Sequence, residues 1–182
     1  MYNMPSSTVP IPARHNTINP FVIVSDANGF IRFVEAVFGG KEAEHVRTPD
    51  RDGKIIHAEV VVGGSTIMLS DSKDDWPFTP AFLQIYVSDA ETCLNTAAQL
   101  GAQVVTPLCD FYGGYRLARI LDPWKNLWWL YEPETQPVPQ NQRDSDTEWR
   151  DRKPSLVYTT LMDTMVSLGR PESRERDHEE QS

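Results

Sequence analysis

The sequence predicts an α+β fold made of two β-α-β-β-β modules, at about residues 18–72 and 81–133. Three observations carry this. The same order of strand and helix signals appears twice, about 63 residues apart. Local strings answer one another: VIVSDA at 22–27 and IYVSDA at 85–90, FGGKEA at 38–43 and LGAQVV at 100–105, HAEVVVGGSTIML at 57–69 and RLARILDPWKNLWWL at 116–130. Within each copy the apolar period switches between two residues and about 3.6. Two copies are too few for a solenoid, so they are expected to pair about a pseudo-twofold axis. Each would form a curved mixed sheet with helices on its convex face, and a C-terminal helix follows.

Residues 1–17 carry Pro, Ser and Asn without periodicity and read as a flexible arm. Residues 18–24, INPFVIV, are a strand. Ser25 or Asp26 can cap the helix that follows, in which Phe30, Phe33, Val34, Val37 and Phe38 recur at helical spacing and Gly39-Gly40 ends the run. EAEHVRTPD is a short strand entering a turn, and KIIHAEVVVGG and STIMLSD form a hairpin across Gly63-Gly64. After the polar connection SKDDWPFTP the pattern restarts with the strand AFLQIYV. A helix with Leu94, Ala97, Ala98 and Leu100 inward follows, then the strand AQVVTPL. The second module closes on a hairpin, RLARIL and LWWLYE, joined by DPWKN, where Pro123 fixes φ and Asp122 can bond the turn backbone. Alternation sends Leu127, Trp129 and Tyr131 to one face and Trp128 and Leu130 to the other. Both faces are apolar, so both need cover. Residues 134–153 read as a polar linker and 154–169 as an amphipathic helix with Leu156 or Val157, Leu161, Met165 and Leu168 inward. Residues 170–182 read as a disordered tail.

The totals narrow the function classes. The chain has 182 residues, 40% of them hydrophobic, and a net charge of −9. Between residues 18 and 133, fifteen acids face nine bases, so the acidity is not only in the tail. Such a charge argues against nucleic acid. No apolar run reaches membrane-spanning length, and the N-terminus lacks the pattern of a secretory signal. Cys93 and Cys109 have no metal-like spacing and read as thiols of a reducing, cytoplasmic compartment.

On the duplicated module and two motifs, His57-Ala58-Glu59-Val60 and Asp122-Pro123-Trp124-Lys125-Asn126-Leu127-Trp128-Trp129, the chain resembles the vicinal oxygen chelate superfamily. That superfamily includes glyoxalase I, bleomycin-resistance proteins and extradiol dioxygenases. The resemblance runs over residues 18–133 and is strongest to the glyoxalase/bleomycin-resistance-like branch. It implies a concave pocket on each curved sheet and, often, a homodimer, with the C-terminal helix as a candidate contact. Metal-using members place His or Glu ligands on the first and last strands of each module. Carried onto this chain, those positions are Asn19, Met68, Phe82 and Trp129, which are poor donors or none. The expectation is therefore no metal and no cofactor.

His57 and Glu59 share a strand face about 7 Å apart between Cα atoms. They read as a satisfied polar pair, as a general base with its orienting carboxylate, or as two ligands needing help. Arg116, at the matching place in the second module, is expected on the concave face, meeting Glu59, Asp110 or an anionic ligand group. Phe21, Met68, Phe82, Gln84 and Trp129 are expected to line the pocket, with Tyr112 of DFYGGYR at its mouth; Trp76, Trp124 and Tyr86 would add aromatic wall. Two functions follow as expectations. One is a metal-free small-molecule-binding protein holding an aromatic or amphipathic ligand. The other is a metal-independent isomerase, cyclase or lyase using His57, Glu59 and Arg116, with a metal-dependent lyase or dioxygenase behind both.

Overall fold

The computed structural model describes residues 11–134 and 154–169. Most of the expected arm, the linker and the tail thus lie outside the described residues. The chain divides into two compact units, Met1–Asp74 and Asp75–Ser182. The fold is α+β, with one curved mixed sheet in each unit and a helix packed on it.

In the first unit β1 (Phe21–Val24) leads into α1 (Ala27–Phe38), then β2 (Lys41–Glu42), β3 (Thr48–Pro49), β4 (Ile55–Val62) and β5 (Ser65–Asp71). The sheet order is β1-β5-β4-β2, with β3 also on β4; β1 and β5 run parallel and the other pairs antiparallel. Asp26 caps α1 by accepting from Gly29 N at 2.8 Å. Gly39 ends the helix in the left-handed region, and at Gly40 a Cβ would lie 2.9 Å from methyls of both Val34 and Val60. The helix and sheet therefore meet through the double glycine. Val22, Val24, Ala58, Val60, Ile67 and Leu69 bury one sheet face against Phe30, Ile31, Val34 and Val37 of α1. The expected second strand is broken: a 3-10 turn, Glu44–Val46, separates β2 from β3. Arg47 holds this stretch through a fork on Glu42, at 2.6 and 2.7 Å, and a bond to Asn28.

The turn before β4 is pinned to the end of β5 by Lys73, whose amine lies 2.6 Å from Asp50 and 2.7 Å from Asp52. The hydrogen bond from Lys73 holds both carboxyls below the usual aspartate range and raises the lysine. Lowered carboxyls stabilise the clamp above the ordinary aspartate value, and that stabilisation is lost as pH falls through the lowered ones. Carboxyl NMR titration is expected to give midpoints below 3.8 for Asp50 and Asp52, both rising in Lys73→Met. Unchanged midpoints in the variant would contradict the clamp.

In the second unit β6 (Phe82–Tyr86) leads into α2 (Ala90–Gln99), then β7 (Gln103–Phe111), β8 (Tyr115–Leu121), β9 (Leu127–Pro133) and α3 (Leu156–Leu168). The sheet order is β6-β9-β8-β7, with β6 and β9 parallel. Pro107 is tolerated because β7 is an edge strand whose register shifts around it, and the strand runs on to Phe111. Ala118, Ile120, Trp128 and Leu130 are buried on the face that α2 covers with Ala90, Cys93 and Ala97.

The terminal helix α3 packs on β7 through part of the expected stripe and through threonines beside it. Leu156 and Met165 are exposed, as are Tyr158, Met162 and Val166, while Thr164 is buried and Val157, Leu161 and Leu168 are half-buried. Hydroxyls turn inward because the sheet here presents Thr106 and Arg119, and Thr106 Oγ1 meets Thr160 Oγ1 at 2.7 Å. Among the described residues, no helix is long and apolar enough to cross a membrane.

Candidate functional site

Each sheet has one face under its first helix and an opposite face, which in the second unit α3 covers over Thr106 and Arg119 and leaves open at β6; alternation decides which side chains reach it. In the first unit the register places Phe21 beside Met68 and Met68 beside Glu59. His57 stands two residues from Glu59 on the same face, and its ring lies 6.4 Å from Phe21. His57 Nε2 is 3.2 Å from Glu59 Oε1, so the expected pair forms. Sequence spacing missed a third member. His15, assigned to the arm, brings its Nε2 to 3.4 Å from the same oxygen. Thr66 donates to the Arg14 carbonyl at 2.6 Å, which seats that segment against β5. No strand periodicity marks His15, so only the tertiary contact identifies it. Glu59, 8% exposed, is thus a buried carboxylate flanked by two imidazoles.

In the second unit the open face is aromatic. Phe82, Gln84 and Tyr86 of β6 stand in register with Leu127, Trp129 and Tyr131 of β9. Tyr86 lies 5.6 Å from both Tyr115 and Tyr131 between ring centroids, and Phe111 bridges Tyr131 and Tyr112 at 5.7 and 5.0 Å. Gln84 donates to the Tyr86 hydroxyl at 2.9 Å. These rings are not a closed core: Phe82 is 51%, Tyr86 61% and Tyr112 71% exposed. Burial pushes the Tyr131 phenol above its ordinary value. Trp76 is exposed in the connection before β6, and Trp124 belongs to the β8–β9 turn.

Arg116 is not on this face. Its strand position pairs it with Glu132 and Asp110, and it donates to Glu132 Oε1 at 2.8 Å on the α2 side. Glu132 Oε2 also accepts from Ala90 N, at the start of α2. The expectation of a concave Arg116 fails by a one-residue parity, and its ion pair is a structural brace at the helix N-terminus. The arginine that does reach the open face is Arg119, in register with Trp129 and Thr106. Its guanidinium carbon sits 3.7 Å from the Trp129 ring centroid. Alternation along RLAR could have found it, because Leu117, Arg119 and Leu121 share one parity.

The turn that joins β8 to β9 positions both strands. Buried Asp122 accepts from Trp124 N, Asn126 N, the Asn126 amide and Trp128 Nε1, all at 2.8–3.3 Å. Asn126 Oδ1 in turn accepts from Ala81 N at 2.8 Å, tying the turn to the start of β6. Burial pushes the Asp122 carboxyl up, against the pull of those donors. Both thiols are also pushed up by burial, so neither Cys93 nor Cys109 is activated.

The strand positions to which the resemblance assigns metal ligands are poor in donors. The strands to which the resemblance assigns ligands are β1 and β5 in one unit, β6 and β9 in the other. The register sets Phe21 against Met68 and Gln84 against Trp129, in place of the expected Asn19 and Phe82. Two of these carry no donor atom, and the others are a neutral thioether and a neutral amide. Among the described residues, no group of three His, Cys, Asp or Glu is arranged to hold a metal ion.

Comparison with known proteins agrees with this architecture. Residues 15–130 match the model of the Glyoxalase/Bleomycin resistance protein/Dioxygenase superfamily. The uncharacterized protein Rv0887c of Mycobacterium tuberculosis is 33% identical over 127 residues, covering 64% of this chain and 74% of its own length. The uncharacterized Mb0911c of Mycobacterium bovis is equally similar, with 82% of its length covered. Among solved structures, PA1353 from Pseudomonas aeruginosa aligns with a TM-score of 0.55 and 22% identity over 64% of this chain and 97% of its own. TioX from Micromonospora sp. ML1 gives 0.51 and 22% over 68% and 100%. At these identities the structures speak to the fold alone. The duplicated module, its sheet order and the family match together place the chain in the glyoxalase/bleomycin resistance/dioxygenase superfamily.

Proposed function

We propose that the chain is a metal-free small-molecule-binding member of its superfamily that holds a flat aromatic ligand on the open face of the second unit. The observation that carries this is a ring surface on core strands, in which Phe82 and Tyr86 are exposed and Phe111, Trp129 and Tyr131 are half-buried beside them. Contiguous exposed aromatic surface marks a binding face, and Gln84 supplies a polar group to orient the ligand. Donor-poor side chains at the superfamily's ligand positions support holding without a metal.

Titration calorimetry with β-naphthamide tests the reading. Binding is expected, unchanged after dialysis against EDTA, and weakened about tenfold in Tyr86→Ala, as loss of one stacking ring implies. Absence of binding, or binding that EDTA removes, would contradict it.

A second reading is favoured by the His57–Glu59 contact at 3.2 Å. There His57 moves a proton and Glu59 orients the imidazole. It no longer includes Arg116. On that reading a copurifying compound exchanges a carbon-bound proton with D2O, and His57→Ala slows the exchange by roughly 10²–10⁴. Equal exchange rates in the variant would remove it.

A further inference from the structure

Arg119 is 1% exposed, yet among the described residues no carboxylate lies within ion-pair distance of it. No like-facing neighbour offers an acid: Cys109, Leu117, Thr106, Trp129 and Tyr131 share its face. Arg116, by contrast, has Glu132. Buried cations are ordinarily paired, because removing an unpaired charge from water is costly. What Arg119 has instead are neutral partners. Its Nη1 donates to Thr106 Oγ1 at 3.2 Å and to the Val157 carbonyl at 2.8 Å, and its plane lies over the Trp129 ring. Its Nε–H is buried without a hydrogen-bond partner. Desolvation lowers its pKa from the ordinary arginine value, the mark of a charge held without compensation.

The element that supplies the Val157 carbonyl is α3, which turns Thr160 and Thr164 toward the sheet and leaves apolar side chains outside. An open groove of about 310 Å³ runs along it, lined by Gln103, Val104, Val105 and Leu121 of the sheet and by Thr160, Asp163, Thr164 and Ser167 of the helix.

We propose that Arg119 is the anchor for an anionic group, a carboxylate or sulfonate, on the aromatic ligand, and that the Val157 carbonyl of α3 stands in for that group. This rests on the reading that the second unit's open face binds an aromatic molecule, and it names the ligand class. The guanidinium presents a planar fork whose Nε–H and Nη–H donors suit a bidentate carboxylate, and the two neutral acceptors, both on Nη1, leave Nε–H unfilled. The ring of such a ligand would lie beside Trp129 and Tyr131. Its charge would displace the first turn of α3 from Arg119.

The test compares two isosteres on the full chain, β-naphthoate and β-naphthamide, by titration calorimetry. The naphthoate is expected to bind at least tenfold more tightly. Arg119→Met is expected to erase that preference, so that the two compounds bind within about twofold of one another. The Arg119 Nε–H resonance of the unmodified chain gives an independent readout if the variant fails to fold; naphthoate is expected to move it and naphthamide to leave it in place. Equal affinities, a preference that survives Arg119→Met, or an Nε–H resonance unmoved by bound naphthoate would each overturn the anchor while sparing the aromatic face. Binding of neither compound would overturn both.

Discussion

Replacing Asp122 by alanine is expected to lower the free energy of unfolding by about 3–5 kcal/mol. The magnitude follows from what the carboxylate holds. It accepts from Asn126 N, the Asn126 amide and Trp128 Nε1 inside the protein, and from Trp124 N at its edge. Alanine leaves these donors unsatisfied, and each buried orphan costs about 1–3 kcal/mol before relaxation. The damage spreads, because Asn126 passes the connection on to Ala81 at the start of β6. Lys125 holds a positive φ of 68° in the same turn, a conformation that the Asp122 bonds help to enforce. Asp122→Asn keeps one acceptor oxygen and sets an amide against a donor, so an intermediate loss is expected. Urea denaturation followed by circular dichroism measures both variants. A loss below about 1 kcal/mol in Asp122→Ala would mean that the turn does not depend on its carboxylate.

The two adjacent tryptophans are expected to respond in opposite ways. Trp128 is fully buried on the α2 face, with its indole N–H on Asp122. Truncating a buried aromatic costs about 3–5 kcal/mol, so Trp128→Ala should unfold most of the margin of a domain this size. Trp129 is half-buried on the open face, stacked on Arg119. Trp129→Ala is expected to cost about 1 kcal/mol of stability and to weaken β-naphthamide binding about tenfold. Equal destabilisation by the two changes would show that both indoles are core, and would remove the open face as a binding surface. The contrast depends only on strand parity, so it also tests the register of β9.

Much of the fold was legible because it rests on local periodicities. The two helices, their Asp caps and the Gly39 stop follow from side-chain chemistry within a few residues. The assignment of Trp129 and Tyr131 to one face and Trp128 to the other needs only alternation, and the register agrees. What failed depended on long-range placement. His15 meets Glu59 across 44 residues of sequence, and nothing in its own neighbourhood signals that. String similarity between the modules sets Arg116 opposite His57, but the hairpin register from Trp129 selects Arg119 for that face and turns Arg116 to the other. The stripe of α3 holds at Val157, Leu161 and Leu168 but not at Met165, because Thr106 on β7 and Arg119 on β8 draw the hydroxyl side of the helix inward.

The open face of the second unit carries the functional reading, and a crystal structure of the protein grown with β-naphthamide tests it most directly. The expected result is the naphthalene ring packed against Tyr86, Tyr131 and Trp129. A ring seated instead beside His57 and Glu59 of the first unit, with the second unit's aromatic face bare, would contradict it.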